Sequence, residues 1–326
     1  MEYVSKSLLL QVDQLREQLD RLDLGKLVRT FFEHDSNSHS EGLENPGTTG
    51  REIRAARRVK LKHKTTDLEN LLNAWRWATT SFTGQVNRSY VESIVRLIEH
   101  DNLAVVHGYR TDNVRITGFE AIMPPQYVKV PSQMESLFAL VNNQDLHPVE
   151  RAVLTHFHIS RIHPFIDGNG RSARLLQNLI LSHEEYAPCI IRAEERSFYQ
   201  ELLRAALRGY ENRTASGLTS DSVSNEEKLF FDYLSTKIIM TYKDAMSVLD
   251  KLPVYHIVLK RVKDPSLIYG VKRRLEDYFR AGNLGQARIS PDDRNCIIVR
   301  GNITGDTIRG LVERSYDHKY TIERKK

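Results

Sequence analysis

Long apolar runs are absent: no stretch of the 326 residues approaches the roughly eighteen apolar positions that a membrane-spanning helix needs. The sequence therefore predicts no membrane association. Cysteine is nearly absent too, with Cys189 and Cys296 more than a hundred positions apart and no CxxC spacing. That excludes a disulfide framework and a cysteine zinc site, and fits a reducing cytoplasm. The opening MEYVSKSLLLQVDQLREQLDRL has only a short apolar run before its charges, so it lacks the core and cleavage site of a secretory signal. Internal repeats and heptads are missing as well. Neither charge sign dominates, with 47 basic and 42 acidic residues, but the net +5 is unevenly spread. Residues 251–326 hold 17 basic against 9 acidic residues, a local +8 that leaves −3 for everything before it. Such asymmetry marks either a nucleic-acid-binding module or a solvated basic surface.

What is present is helical periodicity. Over residues 4–32, Val4, Leu8, Leu9, Val12, Leu15, Leu19, Leu22 and Leu27 recur at mostly three- and four-residue steps, predicting an amphipathic helix with a break near Gly25. HDSNSHSEGLENPGTTG then reads, on composition, as a loop. DLENLLNAWRWA, NRSYVESIVRLIEH, PSQMESLFALVNN, HPVERAVLTHFHISRIH, RSARLLQNLILSHEE and RSFYQELLRAALRGYE all carry helical spacing. Residues 109–128 interrupt them with alternation around Thr117-Gly118, predicting a short β-hairpin. After the polar NRTASGLTSDSVSN and one more helix, the pattern beyond Leu252 reads β-α-β-β-α-β. The expected fold class is mainly α, with a small C-terminal α+β module. The expected domains are an N-terminal helical region (1–65), a helical core (66–212), a linker and helix (213–250) and the basic module (251–326).

One stretch concentrates chemistry: HPFIDGNGRSAR, His163 to Arg174. It lies between two predicted helices, so the second helix presents its free N–H groups, which attract anions. Gly168 and Gly170 let the backbone curl around a phosphate, and Arg171 and Arg174 add charge-assisted hydrogen bonds. Asp167 is placed to hold Mg²⁺ through a single carboxylate, and His163 is a base that titrates near neutrality. Together they point to phosphoryl or nucleotidyl transfer. A lone GNG is usually a turn, but a turn does not call for Asp, Asn and two arginines at these spacings. The pattern is neither GxGxxG nor GxxxxGK[ST]. His156 and His158, without acidic or cysteine companions, read as helix packing or surface.

The stretch resembles the signature of the Fic family, HxFx[DE]GNGRxxR, at every specified position, and the resemblance extends over roughly residues 70–212. It implies an all-helical core in which His163 deprotonates a Ser, Thr or Tyr hydroxyl of a target protein, which then attacks the α-phosphate of ATP. It implies further that Asp167 holds Mg²⁺, that Gly168, Asn169, Gly170 and Arg171 grip the α- and β-phosphates, and that Arg174 reaches the γ-phosphate. Phe165 is then a buried anchor and Tyr199 an aromatic near the adenine. Leu207 departs from an asparagine found in some members. The hairpin becomes a flap that docks the target by strand addition, through Val114, Arg115, Ile116 and Phe119. HSEGLEN resembles the family's inhibitory helix, [ST]xxxE[GN], with Ser40 and Glu44 as the inhibitory pair, although Gly42 and Pro46 are poor helix formers. A rival register would use Glu41. The expectation is an autoinhibited protein adenylyltransferase, with room for self-modification and for a homodimer. The alternatives are a Fic-type enzyme that uses another nucleotide or phosphate-containing donor or removes AMP, and a non-enzymatic regulator that binds nucleic acid through 251–326.

Overall fold

The computed structural model describes residues 2–21, 36–37, 39–41, 43–44, 64–100, 108–116, 122–215, 223–260, 262, 264–280 and 285–325. The chain divides into two compact units, with the boundary after Tyr242. The larger unit contains α1 (Lys6–Arg21), α2 (Lys64–Ser81), α3 (Arg88–Ile98), α4 (Val130–Val141), α5 (Pro148–Ile162), α6 (Asn169–His183), α7 (Arg196–Ala215) and the greater part of α8 (Asn225–Asp250).

Its centre is the antiparallel pair α5 and α6, joined by the 163–168 loop. Pro148 starts α5 in the first turn, where its missing N–H costs nothing, and the His147 side chain caps Val149 N. Nearly every position of α5 and α6 is buried, the pattern of a helix surrounded on all sides. Their buried polar groups must then find partners inside. Arg151 pairs with Glu184 at 2.6 Å. Asn178 accepts from Cys189 N at 2.8 Å and donates to Ser36 Oγ at 2.6 Å. Glu150 accepts from the backbone of Tyr3 and Val4, fastening the N-terminus to α5. On the flanks, α3 buries Val91, Ile94, Val95 and Ile98, and α2 and α3 both pack on α6.

The expected hairpin does not form among the described residues of 109–128; Val114 to Ile116 carry no strand, and residues 117–121, including Phe119, lie outside the described residues. Arg110 draws the carbonyls of Asp112 and Pro125 to its guanidinium, and Asn113 Oδ1 accepts from Tyr127 N at 3.0 Å, so side chains tie together the two flanks of this stretch.

The smaller unit adds β1 (Val254–Leu259), α9 (Ser266–Arg280), β2 (Gly285–Ile289), β3 (Cys296–Gly301), α10 (Gly305–Glu313) and β4 (Tyr320–Lys325). Its sheet is antiparallel in the order β2-β3-β1-β4, the split β-α-β arrangement read from the sequence. Alternate residues of β1 and β3 pack with α9 and α10 into a core around Ile257, Val271, Leu275, Ile297 and Ile308. Gly285 pairs with Gly301 across β2 and β3, and a Cβ on Gly285 would lie 2.6 Å from the Gly301 Cα. Gly285→Ala must therefore push the two strands apart, at a cost of about 1–3 kcal/mol. Hydrogen exchange should show faster exchange across β2 and β3, with α5 and α6 unchanged; unaltered protection in β2 would contradict this close approach.

Candidate active site

α5 ends at His163, whose φ of 51° is left-handed, and its N–H closes the last turn on Ile159 O at 2.9 Å. That conformation turns the chain sharply into the loop. Arg110 fixes the turn: its N–H donates to Pro164 O and its Nε to His163 O, both at 2.8 Å, and Nη2 reaches toward Ile162 O. A guanidinium at the end of α5 also complements the negative end of the helix dipole. Phe165 is 1% exposed and packs on Tyr109, while Asn169 brackets it by accepting from Phe165 N at 3.0 Å and donating to Phe165 O at 2.9 Å.

At the other lip, Gly168 opens α6 with φ +78°, and the Asp167 carboxylate accepts from Gly168 N at 2.6 Å. A side chain on Gly168 would collide with the Glu99 carboxylate, and one on Gly170 with that of Glu44. The two glycines of the loop are therefore each approached by an acid from elsewhere in the chain. Arg171 Nη2 meets Glu99 Oε1 at 2.5 Å and lies 3.6 Å from Asp167. Arg174 Nη2 donates to Glu44 Oε1 at 2.7 Å and to Ser40 O at 3.0 Å, and its Nε donates to Ser40 Oγ at 2.8 Å.

Ser40 and Glu44 belong to a segment that is helical at every described position from 36 to 44. Composition alone made it a loop, whereas the family resemblance made it a helix. It is held by side-chain contacts along its length: Asn178 to Ser36, Ala193 N to His39, and Arg196 Nε to Leu43 O at 2.6 Å. Burial acts to raise the Glu44 pKa, but Arg174, together with Arg171 and Arg196, more than offsets it and leaves the carboxyl below its usual range.

Tyr199 stands beneath Arg174. It is 5% exposed, and its hydroxyl lies 2.9 Å from His156 Nε2. Its ring is thus part of the support under the arginine, not an open platform for a base. Gln177 Oε1 can only accept, so His156 carries its proton on Nδ1 and takes the tyrosine hydroxyl at Nε2. Burial holds this imidazole neutral, with its pKa pushed down to about 3. His156 is therefore neither surface nor simple packing.

His163 is half-buried, and its Nδ1 is enclosed without a hydrogen-bond partner among the described residues. Desolvation lowers its pKa to about 4, against the opposing pull of the Ser160 carbonyl, Glu44 and Asp167. The expected titration near neutrality gives way to an imidazole that stays neutral. Val114, Arg115 and Ile116 lie on an extended, partly exposed stretch.

The comparisons with known proteins agree with this geometry. Residues 85–181, from just before α3 into α6, match the Fic/DOC family. A protein named adenylyltransferase Fic from Nematostella vectensis is 27% identical over 230 residues, covering 64% of this chain and 52% of the relative. Its counterpart from Drosophila virilis is 27% identical over 216 residues, covering 62% of this chain and 44% of the relative. The chain thus spans about half the length of these relatives. Among solved structures, a Fic-domain signaling protein from Bacteroides thetaiotaomicron superposes with a TM-score of 0.61 at 23% identity, covering 74% of this chain and 96% of that one. Fic-1 from C. elegans gives 0.60 at 20%, covering 75% and 72%. These likenesses establish the fold, and within it residues 85–181 carry the match to the Fic/DOC family.

Glu99, Arg110 and His156 are the site residues that sequence reasoning missed. Of the loop's supports, Asn169 is the most exacting. Asn169→Ala would leave the N–H and carbonyl of Phe165 unpaired, and stability should fall by about 1–3 kcal/mol. Asn169→Asp keeps the acceptor and should recover part of it. A denaturant midpoint unchanged in the alanine variant would show that the loop does not depend on this bracket.

Proposed function

We propose that this chain is a protein adenylyltransferase that moves AMP from ATP to a hydroxyl side chain of a protein and is held back by Glu44. The observation that carries the reading is the convergence of a neutral His163, the open N-terminus of α6, and Arg171 and Arg174 on one loop. The adenylyltransferase names of its relatives support the same reaction. His163 takes the proton of the incoming hydroxyl. The hydroxyl oxygen bonds to the α-phosphorus, the bond from that phosphorus to the bridging oxygen breaks, and the electron pair leaves with pyrophosphate. The backbone N–H groups of Asn169 and Gly170 and the Arg171 guanidinium stabilise the departing charge, the Gly168 N–H being held by Asp167. Arg174 takes the γ-phosphate.

Asp167 is the residue that would hold Mg²⁺. Its carboxylate is largely exposed at the loop's edge, with one oxygen on Gly168 N and the other without a hydrogen bond among the described residues. The described residues contain no cluster of three or more His, Cys, Asp or Glu that could hold a metal. One carboxylate suits Mg²⁺, which draws its other ligands from phosphate and water and would supply charge neutralisation there.

Glu44 sits on Arg174 where the γ-phosphate belongs, so like charges repel and the arginine is already engaged. Glu44→Gly should raise label incorporation from ATP by about 10- to 10³-fold, with self-modification the first visible product. Adding Arg174→Ala should cancel most of the gain. No increase in the single variant would remove the brake from the proposal, and His163→Ala retaining near-normal transfer would remove the mechanism.

A base must be neutral to accept a proton, and His163 loses that state only as pH falls through about 4. Removing Glu44 withdraws a contribution that raised this value, so the neutral form extends lower still. Transfer by the Glu44→Gly variant should therefore be flat between about pH 6 and 8 in single-turnover assays. A rate that climbs about tenfold across that interval would place the working base elsewhere.

A further inference from the structure

A cavity of about 430 Å³ opens between α4, α5, α7 and α8, and none of its lining residues belongs to the 163–174 loop. Leu137, Leu140, Leu154 and Phe231 give it apolar walls; His158, Arg161, Tyr210, Arg213 and Glu227 form a polar end.

The polar end is unbalanced. Arg213 gives Glu227 two hydrogen bonds at 2.9 Å, so those charges cancel, and Ser224 N takes a further contact with the same carboxylate. Arg161 has no ion-pair partner among the described residues. Its Nε donates to His158 Nδ1 at 3.1 Å, Nη1 donates to Gln133 Oε1 at 2.8 Å, and the guanidinium lies 4.4 Å over the Tyr210 ring. It makes no hydrogen bond to a helix carbonyl among the described residues, so it is not there to cap α5. Because Arg161 donates to Nδ1, His158 carries its proton on Nε2 and offers a second donor. Burial and the two arginines keep that imidazole neutral. The nearest carboxylate, Glu227, is already taken by Arg213, so the Arg161 guanidinium beside the apolar wall favours a ligand that brings an anion of its own. The volume and the mixture of apolar wall with a few convergent donors are those of a small-molecule site.

We propose that this cavity binds a small monocarboxylate with an apolar body. The carboxylate sits on Arg161 and the Nε2–H of His158, and the hydrocarbon part lies against Leu137, Leu140, Leu154 and Phe231. The site is independent of AMP transfer, so its test is binding alone.

Titration calorimetry on the full chain with octanoate, 1-octanol and inorganic phosphate separates the parts of the claim. Octanoate should bind at one site, about tenfold or more tighter than 1-octanol, because only the acid gives Arg161 a charge-assisted partner. Phosphate, lacking the apolar body, should bind more weakly than octanoate. Arg161→Met should lower octanoate affinity by about tenfold or more and leave 1-octanol unchanged. Leu140→Trp, which fills the cavity and spares the arginine, should abolish both and guards against a folding defect in the first variant. The proposal is overturned if octanoate does not saturate, if 1-octanol binds as tightly, or if octanoate affinity is indifferent to both substitutions.

Discussion

Arg171 and Arg174 leave α6 one turn apart, both largely buried, and a buried guanidinium needs an anion beside it. Much of the larger unit answers that requirement. Glu99, at the C-terminal end of α3, supplies the anion for Arg171, and Glu44 supplies it for Arg174. Gly168 and Gly170 are small because those carboxylates press against the loop. Beneath, Tyr199, His156 and Gln177 form a buried chain whose end touches the same arginine, with burial keeping its imidazole uncharged so that no further cation is added. Remove the need to pair two cations and neither the helical 36–44 segment nor the position of Glu99 has a reason.

The same constraint separates the roles of the two acids. Glu99 is buried within the larger unit, whereas the Glu44 side chain is 40% exposed and reaches Arg174 from a segment far away in sequence. An exposed acid on a docked segment can be exchanged for a phosphate; a buried one at a helix end serves better as a fixed counter-charge. His163 completes the arrangement from the opposite lip. Its left-handed backbone is sustained by Arg110, which binds the carbonyls on both sides of the turn. The orientation of His163 is thus set by backbone contacts and not by a hydrogen bond to its ring Nδ1.

The loop chemistry was legible because His163, Asp167, Gly168, Gly170, Arg171 and Arg174 are close in sequence, and local spacing fixes which of them share a helix end. The β-α-β-β-α-β unit was legible because its strands alternate and its helices carry amphipathic spacing. Illegible features depend on distant pairing. Glu99 ends a helix that also bears Glu92, an acid engaged with Arg88 and Arg96, and nothing local tells the two acids apart. Arg110 looked like one residue of a hairpin, yet its guanidinium gathers carbonyls from four others. His156 seemed unaccompanied because its partners, Gln177 and Tyr199, lie 21 and 43 positions away. The 36–44 segment read as loop because Gly42 and polar residues depress helix propensity, which tertiary contacts with Asn178, Arg174 and Arg196 override.

On the proposed reading, those contacts also bound how strong a brake the segment can be. Besides the Glu44 pair, it is fastened by hydrogen bonds from Asn178, Ala193, Arg196 and Arg174, and by the buried Leu43. Each hydrogen bond contributes about 0.5–1.5 kcal/mol net, so these bonds together supply a few kcal/mol, set against the cost of ordering the chain. That is the scale of ordinary coupling between sites, about 1–3 kcal/mol. A partner that grips residues 36–44 only modestly better when undocked would then shift the balance, and ATP, by offering Arg174 a phosphate in place of a carboxylate, works in the same direction. On the proposed reading, the brake is a reversible competition for one arginine, set near the point where binding energies of this size can tip it.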